Sequence, residues 1–172
     1  LRQVLLQTPR SAAVCNDLAD VLRDSGQAAE AEACYRQAIE FDPQLAEAYN
    51  NLGNLLRKQN KCYAALEAFQ VAVRLRPNAV QVHLNLGSCY CDLGRWVDAV
   101  AAFRRAIAIQ PDLALAHRNL GVALLAQKEY QTAAASYQEA VRLDPNYVEA
   151  RTGLGAALQG MGRIGDAKKC YE

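Results

Sequence analysis

The sequence predicts an all-α fold, a solenoid of antiparallel helix pairs that repeat along the whole chain. One observation is the spacing of the five prolines, which recur every 34 residues at Pro9, Pro43, Pro77, Pro111 and Pro145. Another is that each period carries two apolar patterns with helical spacing, separated by a short break. Because chance placement would rarely keep all five prolines in one register, the period is a property of the fold.

The period divides the chain into units when each unit is counted from the third residue after its proline. The predicted units are the end of an earlier repeat at 1–11, four complete repeats at 12–45, 46–79, 80–113 and 114–147, and a truncated fifth at 148–172. The chain begins without Met and stops inside a unit. We therefore expect it to be a piece of a longer protein.

The first helix of each unit is predicted by its apolar spacing, with leucine at the seventh position and usually again at the eleventh. The eighth position always holds a small residue: Ala19, Gly53, Gly87, Gly121 and Gly155. Glycine inside a helix costs about 1 kcal/mol relative to alanine. These glycines therefore predict a place where another part of the chain packs closely against the helix backbone.

A break and a second helix follow in each unit. At the fifteenth position four of five units carry a residue that tolerates the left-handed conformation ending a helix: Gly26, Asn60, Gly94 and Gly162, with Lys128 as the exception. The second helix carries alanine at the twentieth position and an aromatic at the twenty-fourth: Tyr35, Phe69, Phe103, Tyr137 and Tyr171. Proline then ends it, because proline cannot continue a helix.

This pattern resembles the tetratricopeptide repeat. The shared features are Leu at position seven, Gly or Ala at eight, Ala at twenty, an aromatic at twenty-four, Ala at twenty-seven and Pro at thirty-two. The resemblance covers essentially the whole chain. It implies a right-handed superhelix whose first helices line a concave groove, which is commonly used to bind peptides. The same scaffold serves many partners, so the resemblance is specific for fold and less so for function.

The resemblance places certain first-helix positions in the groove. The candidate peptide-binding residues at these positions are Asn50, Asn51, Asn54, Arg57, Lys58, Asn85, Leu115, Asn119, Val122 and Leu125. Three of them, Asn51, Asn85 and Asn119, occupy the same position in successive units. An amide both donates and accepts, so a row of asparagines can hold the backbone of an extended peptide.

Two interpretations of the asparagines stay open. They resemble, in three units only, the asparagine ladder in the tetratricopeptide region of O-linked N-acetylglucosamine transferases, which favours ligand binding. Alternatively, they bond to neighbouring helices and fix the spacing between units, because asparagine inside a helix otherwise lacks propensity support.

The groove is expected to change character from unit to unit. Arg57 and Lys58 make the second unit basic, whereas the fourth is apolar through Leu115, Val122 and Leu125. These apolar side chains either contact a ligand or pack on an adjacent helix. A clamp for a terminal carboxylate is not expected, because Arg118 is the sole charge at a fifth position among the last three units.

Composition excludes several classes of function. Nineteen Lys and Arg against eighteen Asp and Glu give a formal charge of +1, so no overall field attracts nucleic acid or acidic membranes. The apolar runs are far too short to span a bilayer. The six cysteines lie in apolar-periodic segments, without the spacing of a disulfide-stapled secreted domain. We expect reduced thiols and a cytoplasmic location.

No catalytic, cofactor-binding or metal-binding residues are predicted. His83 and His117 occupy equivalent positions in adjacent units, and stacked helices lie roughly 8–10 Å apart, too far for both rings to bind one metal. Cys89 and Cys91 lie two residues apart on a helix and point about 200° apart, so they cannot bind one metal ion together.

The predicted function is a non-catalytic scaffold that binds a protein or peptide. The alternative is the substrate-recognition array of a larger enzyme such as a glycosyltransferase, and uncapped ends suggest possible self-association.

Overall fold

The computed structural model describes residues 11–172, and these form ten α-helices and no strand. The helices are α1 (Ala12–Asp24), α2 (Ala28–Phe41), α3 (Ala46–Lys58), α4 (Cys62–Leu75), α5 (Val80–Asp92), α6 (Trp96–Ile109), α7 (Ala114–Ala126), α8 (Tyr130–Leu143), α9 (Val148–Gly160) and α10 (Ile164–Tyr171). The all-α prediction is confirmed. Of the segment 1–11, predicted to end an earlier repeat, all but Ser11 lies outside the described residues.

The chain divides into two compact units, one ending at Pro77 and the other beginning at Asn78. In the first unit, α1 packs on α2, α2 on α3 and α3 on α4, and α1 also contacts α3. In the second, each helix packs on the next from α5 to α10, and α7 also contacts both α5 and α9. Within each unit, therefore, the first helices of successive pairs touch each other, which is the stacking predicted for a solenoid.

Three-residue connections join the two helices of every pair, and each contains one residue with a positive φ. These residues are Gly26, Asn60, Gly94, Lys128 and Gly162, with φ between 60° and 80°. Lys128 is the exception that the sequence set apart, yet it adopts φ 63° like the others. Its turn is closed by the Glu129 amide, which donates to the Leu124 carbonyl at 3.0 Å. The hydrogen bonds of the helix end therefore decide the conformation, against the preference of lysine.

The close packing predicted at the eighth position is confirmed, and its partner is the aromatic ring of the same pair's second helix. A Cβ added to Gly53 would lie 2.7 Å from the Phe69 ring, and one added to Gly87 would lie 2.5 Å from the Phe103 ring. Phe69 and Phe103 are almost fully buried. Glycine is needed at these positions because the ring occupies the space that a side chain would fill.

Candidate functional site

The candidate residues lie on the first helices of the two units. In the first unit we call the side chains Asn16, Asp20, Arg23, Asn50, Asn51, Asn54, Arg57 and Lys58 of α1 and α3 the polar face. In the second unit, the name mixed face is used for Asn85 of α5 together with Leu115, Arg118, Asn119, Val122 and Leu125 of α7.

Asn51 bonds across the polar face to the neighbouring first helix. Its Nδ2 donates to Asn16 Oδ1 and to Asp20 Oδ1, both at 3.3 Å, and so ties α3 to α1. Asn50 Nδ2 donates in turn to Asn51 Oδ1 at 3.3 Å. Asn16 is only 3% exposed. These contacts support the structural interpretation of Asn51, because its amide satisfies polar groups that are shielded from water.

The Asp20 carboxylate extends this network to the second helix of the pair. It accepts from the Tyr35 hydroxyl at 2.5 Å and from Arg23 Nη1 at 2.7 Å. Burial and the hydrogen bond to Asp20 raise the pKa of Tyr35 well above its usual value. The tyrosine therefore stays protonated as a donor. The sequence showed Tyr35 only as an apolar aromatic of the repeat, so its polar role was missed.

The remaining candidates of the polar face differ in exposure. Lys58 is exposed, whereas Asn54 and Arg57 are partly buried. Lys58 lies close enough to Asp24 to contribute to lowering the pKa of that carboxyl, although the main cause is the hydrogen bond from Arg23 Nε at 2.9 Å. The predicted basic character of this repeat is therefore partly offset by acidic side chains of α1.

The asparagines of the second unit make different contacts from Asn51. Asn119 Oδ1 accepts from Arg118 Nη1 at 3.0 Å, and Asn85 Oδ1 accepts from Gln81 Nε2 at 3.0 Å. Both bonds stay within one helix. Asn119 Nδ2 has no acceptor within residues 11–172. Asparagines at equivalent positions of the repeat thus have different hydrogen-bond partners. The sequence alone does not distinguish these partners.

Arg118 is a cation held in place on the mixed face. Asn119 binds its Nη1, while its Nε is buried and has no hydrogen-bond partner among the described residues. Burial raises the pKa of both Tyr137 and Tyr147, and the charge of Arg118 opposes that rise, so both phenol groups lie near its guanidinium. Arg118 forms no ion pair within the described part of the chain. Its Nη2, which has no hydrogen bond within residues 11–172, can donate to a carboxylate of a ligand.

The apolar candidates are only partly available to a ligand. Val122 and Leu125 are partly buried and pack against the hydrophobic core of the second unit, which favours their packing interpretation. Leu115 is 41% exposed and is the one apolar candidate that stays open to solvent among these three. The mixed face therefore offers a single exposed leucine one helical turn from Arg118.

Gly153 interrupts the asparagine register for a steric reason. It occupies the position of Asn119 in the next repeat, and a Cβ there would overlap the Tyr137 ring. The aromatic side chain of the preceding pair thus fills the space on α9 where three other pairs carry an amide. This exclusion could not be read from the sequence, because it depends on how two pairs stack.

The groups considered for chemistry have structural contacts. His117 Nε2 lies 2.8 Å from the Pro111 carbonyl and so ties α7 to the preceding loop. His83 is buried. None of the six cysteines forms a disulfide, and burial raises the pKa of the Cys15 and Cys34 thiols. Residues 11–172 contain no group of three or more metal-ligating side chains. Within the same range, no helix has both the length and the apolar character to cross a membrane.

Comparison with known proteins gives a consistent picture of the repeat. A sequence profile of the tetratricopeptide repeat matches residues 50–114, and a profile of the TPR repeat matches residues 19–60 and 123–162. Together they cover more than half of the chain. No curated protein sequence matches it.

Several solved structures have a similar fold. The MamA protein aligns with a TM-score of 0.87 at 24% identity, over 93% of this chain and 87% of MamA. YrrB, described as a TPR protein with an unusual peptide-binding site, aligns at 0.83 and 20% identity over 98% of this chain and 87% of YrrB. PilF of Pseudomonas aeruginosa aligns at 0.82 and 20% identity over 93% and 73% of the two chains. At these identities the likeness shows the fold alone.

Proposed function

This chain belongs to the tetratricopeptide repeat family, and on that premise we propose that it is a protein-interaction scaffold that binds an extended segment of a partner protein on its first helices. YrrB, which shares the fold, carries a peptide-binding site. That supports the same class of ligand for this chain.

The observation that carries the proposal is the state of Arg118 and Asn119 on the mixed face. Arg118 has a buried Nε without an acceptor, and Asn119 has an amide nitrogen without one. Because Nε is shielded from solvent, a partner reaches Arg118 through Nη2, the guanidinium nitrogen that is neither buried nor bonded within residues 11–172. The bond to Asn119 engages Nη1, so Nη2 is left to donate to a carboxylate.

The ligand we propose is an extended segment with an acidic side chain at Arg118 and an apolar side chain beside it at Leu115. Asn119 Nδ2 would donate to a backbone carbonyl of that segment, as the asparagine ladder interpretation requires. Asn51 plays a different part in this proposal, because its amide is engaged by α1.

The experiment is a selection of random twelve-residue peptides on the immobilised chain. We expect the selected peptides to share an acidic residue next to an apolar one. Arg118→Gln should weaken their binding about tenfold or more, because a charged hydrogen bond is removed. The matched control Arg74→Gln, an exposed arginine on second helix α4, should leave binding unchanged. Peptides without acidic residues, or equal binding by both variants, would contradict the proposal.

Three further expectations stay predictions: that the array selects substrates for a larger enzyme, that its ends mediate self-association, and that it is cytoplasmic. The downstream sequence decides the first, because a nucleotide-sugar fold there would favour it. Light scattering over a concentration series decides the second.

A further inference from the structure

A pocket of about 380 Å³ lies in the first unit between the second helices α2 and α4, with α3 as its floor. Its apolar lining consists mainly of Ile39, Leu52, Leu56, Ala68 and Val71. The Tyr49 ring adds an aromatic wall. No lining residue belongs to the polar face of α1 and α3, so the pocket is a separate surface from the one proposed to bind a partner segment.

Two carboxylates, Glu40 of α2 and Glu67 of α4, stand at this pocket. Both are exposed, and neither forms an ion pair within residues 11–172. Arg36 also lines the pocket, but its Nη2 is bound to Glu32 Oε1 at 3.0 Å. The lining therefore carries two unpaired carboxylates and one guanidinium that already has a partner.

An ion pair joins α2 to the start of α4. Glu32 Oε2 of α2 accepts from Lys61 Nζ, at the start of α4, at 3.0 Å. The same carboxylate holds Arg36 through its other oxygen. Glu32 thus pairs with Arg36, the cation of the pocket lining, while Glu40 and Glu67 have no ion-pair partner within residues 11–172.

The acidic character of this cleft is not a requirement of the repeat. The positions equivalent to Glu40 and Glu67 in the two corresponding helix pairs of the second unit are Ala108 and Ala135 for α6 and α8, and Arg142 and Lys169 for α8 and α10. Second helices thus stack with alanines, with cations or with carboxylates at these positions. The two glutamates are therefore available for a function other than packing.

We propose that this pocket binds a basic side chain, arginine or lysine, of a partner protein. The aliphatic stem of such a side chain covers the apolar floor, because long cationic side chains bury their methylene groups while keeping the charge in water. The cation then reaches Glu40 and Glu67 through charge-assisted hydrogen bonds, and the Tyr49 ring offers it an aromatic face. This contact does not depend on the function proposed for the first helices.

The test uses two short peptides and the isotope-labelled chain. Acetyl-Leu-Arg-Leu-amide is titrated and the amide shifts are followed by NMR, with the citrulline peptide as a neutral analogue of the same shape. We expect the arginine peptide to shift amides around Glu40, Glu67 and Val71, and the citrulline peptide to bind several-fold more weakly. Added salt should reduce the difference, because exposed charges are screened.

The matched variants separate the pocket from the overall charge. Glu40→Ala with Glu67→Ala should weaken the arginine peptide about threefold to tenfold, as expected for two exposed ion pairs. Glu30→Ala with Glu149→Ala makes the same change in net charge away from the pocket and should leave binding unchanged. Equal loss in both double variants, or equal binding of arginine and citrulline peptides by the unmodified chain, would overturn the proposal.

Discussion

At the residue scale, the three asparagines that share one position of the repeat make different contacts. Asn51 bridges two first helices through Asn16 and Asp20, whereas Asn119 bonds only to Arg118 on its own helix. The sequence leaves a ligand role and a structural role open as alternatives for this position. The contacts support the structural role for Asn51, and they leave the nitrogen of Asn119 for a ligand.

The first prediction concerns Asn51. Asn51→Ala should lower the free energy of unfolding by about 1–3 kcal/mol, because buried Asn16 loses its donor and the α1–α3 tie is broken. Asn119→Ala, which breaks a bond within one helix, should cost clearly less. Urea unfolding followed by circular dichroism measures both. Equal losses would show that the two amides have the same role.

Single residues also show which contacts and conformations can be predicted from the sequence and which cannot. The small residues at the eighth position indicate close packing because a helical glycine needs a compensating contact, and the Phe69 and Phe103 rings supply it. The positive φ of Lys128 could not be predicted from the residue type, since lysine does not favour a positive φ. Its conformation follows from the helix end around it.

At the element scale, the pairs are linked by side chains that the repeat pattern does not contain. Helices α2 and α4 have no Cα atoms within 8 Å of each other, yet Glu32 and Lys61 join them through a 3.0 Å ion pair. The apolar period locates each helix correctly. The pairing of second helices depends on individual charged residues that vary from unit to unit, so the period carries no information about it.

The second prediction is a pH dependence of the α2–α4 ion pair. The hydrogen bond from Lys61, followed by that from Arg36, lowers the pKa of Glu32 below its usual 4.5. The folded state therefore binds the proton less readily than the unfolded state. The resulting stabilisation is complete above pH 4.5 and is lost as the pH falls through the lowered pKa of the folded chain.

Glu32→Gln is the variant that measures this contribution. It should cost about 0.5–1 kcal/mol of stability at neutral pH, and the difference from the unmodified chain should vanish in acid. The control is Glu139→Gln, whose partner Arg142 lies on the same exposed helix face, and it should change stability less. A difference for Glu32→Gln that persists unchanged at low pH would rule out the ion pair as its cause.

At the scale of the whole molecule, the regular period predicts a uniform array, whereas the structure divides into two compact units at Pro77 and Asn78. A cluster of buried apolar residues in the second unit runs from Leu84 to Ala157 and contains no residue of the first unit. All prolines share one register, so the sequence gives no sign that the division falls after the third rather than another proline.

The third prediction is that residues 78–172 fold without the first unit. Because this cluster lies wholly within the unit, the fragment should keep a helical circular dichroism spectrum and unfold cooperatively in urea. Asn78 should be retained, since Arg105 donates to its Oδ1 at 3.1 Å. A disordered spectrum at all temperatures would show that the second unit is not stable alone.

The most direct test of the proposed scaffold function is NMR mapping of a selected peptide on the labelled chain. A peptide taken from the selection on unmodified protein should shift the amides of α7 around Leu115, Arg118 and Asn119, and Arg118→Gln should abolish those shifts at the same peptide concentration. Shifts confined to the second helices, or unchanged by Arg118→Gln, would contradict the assignment of the mixed face as the binding surface.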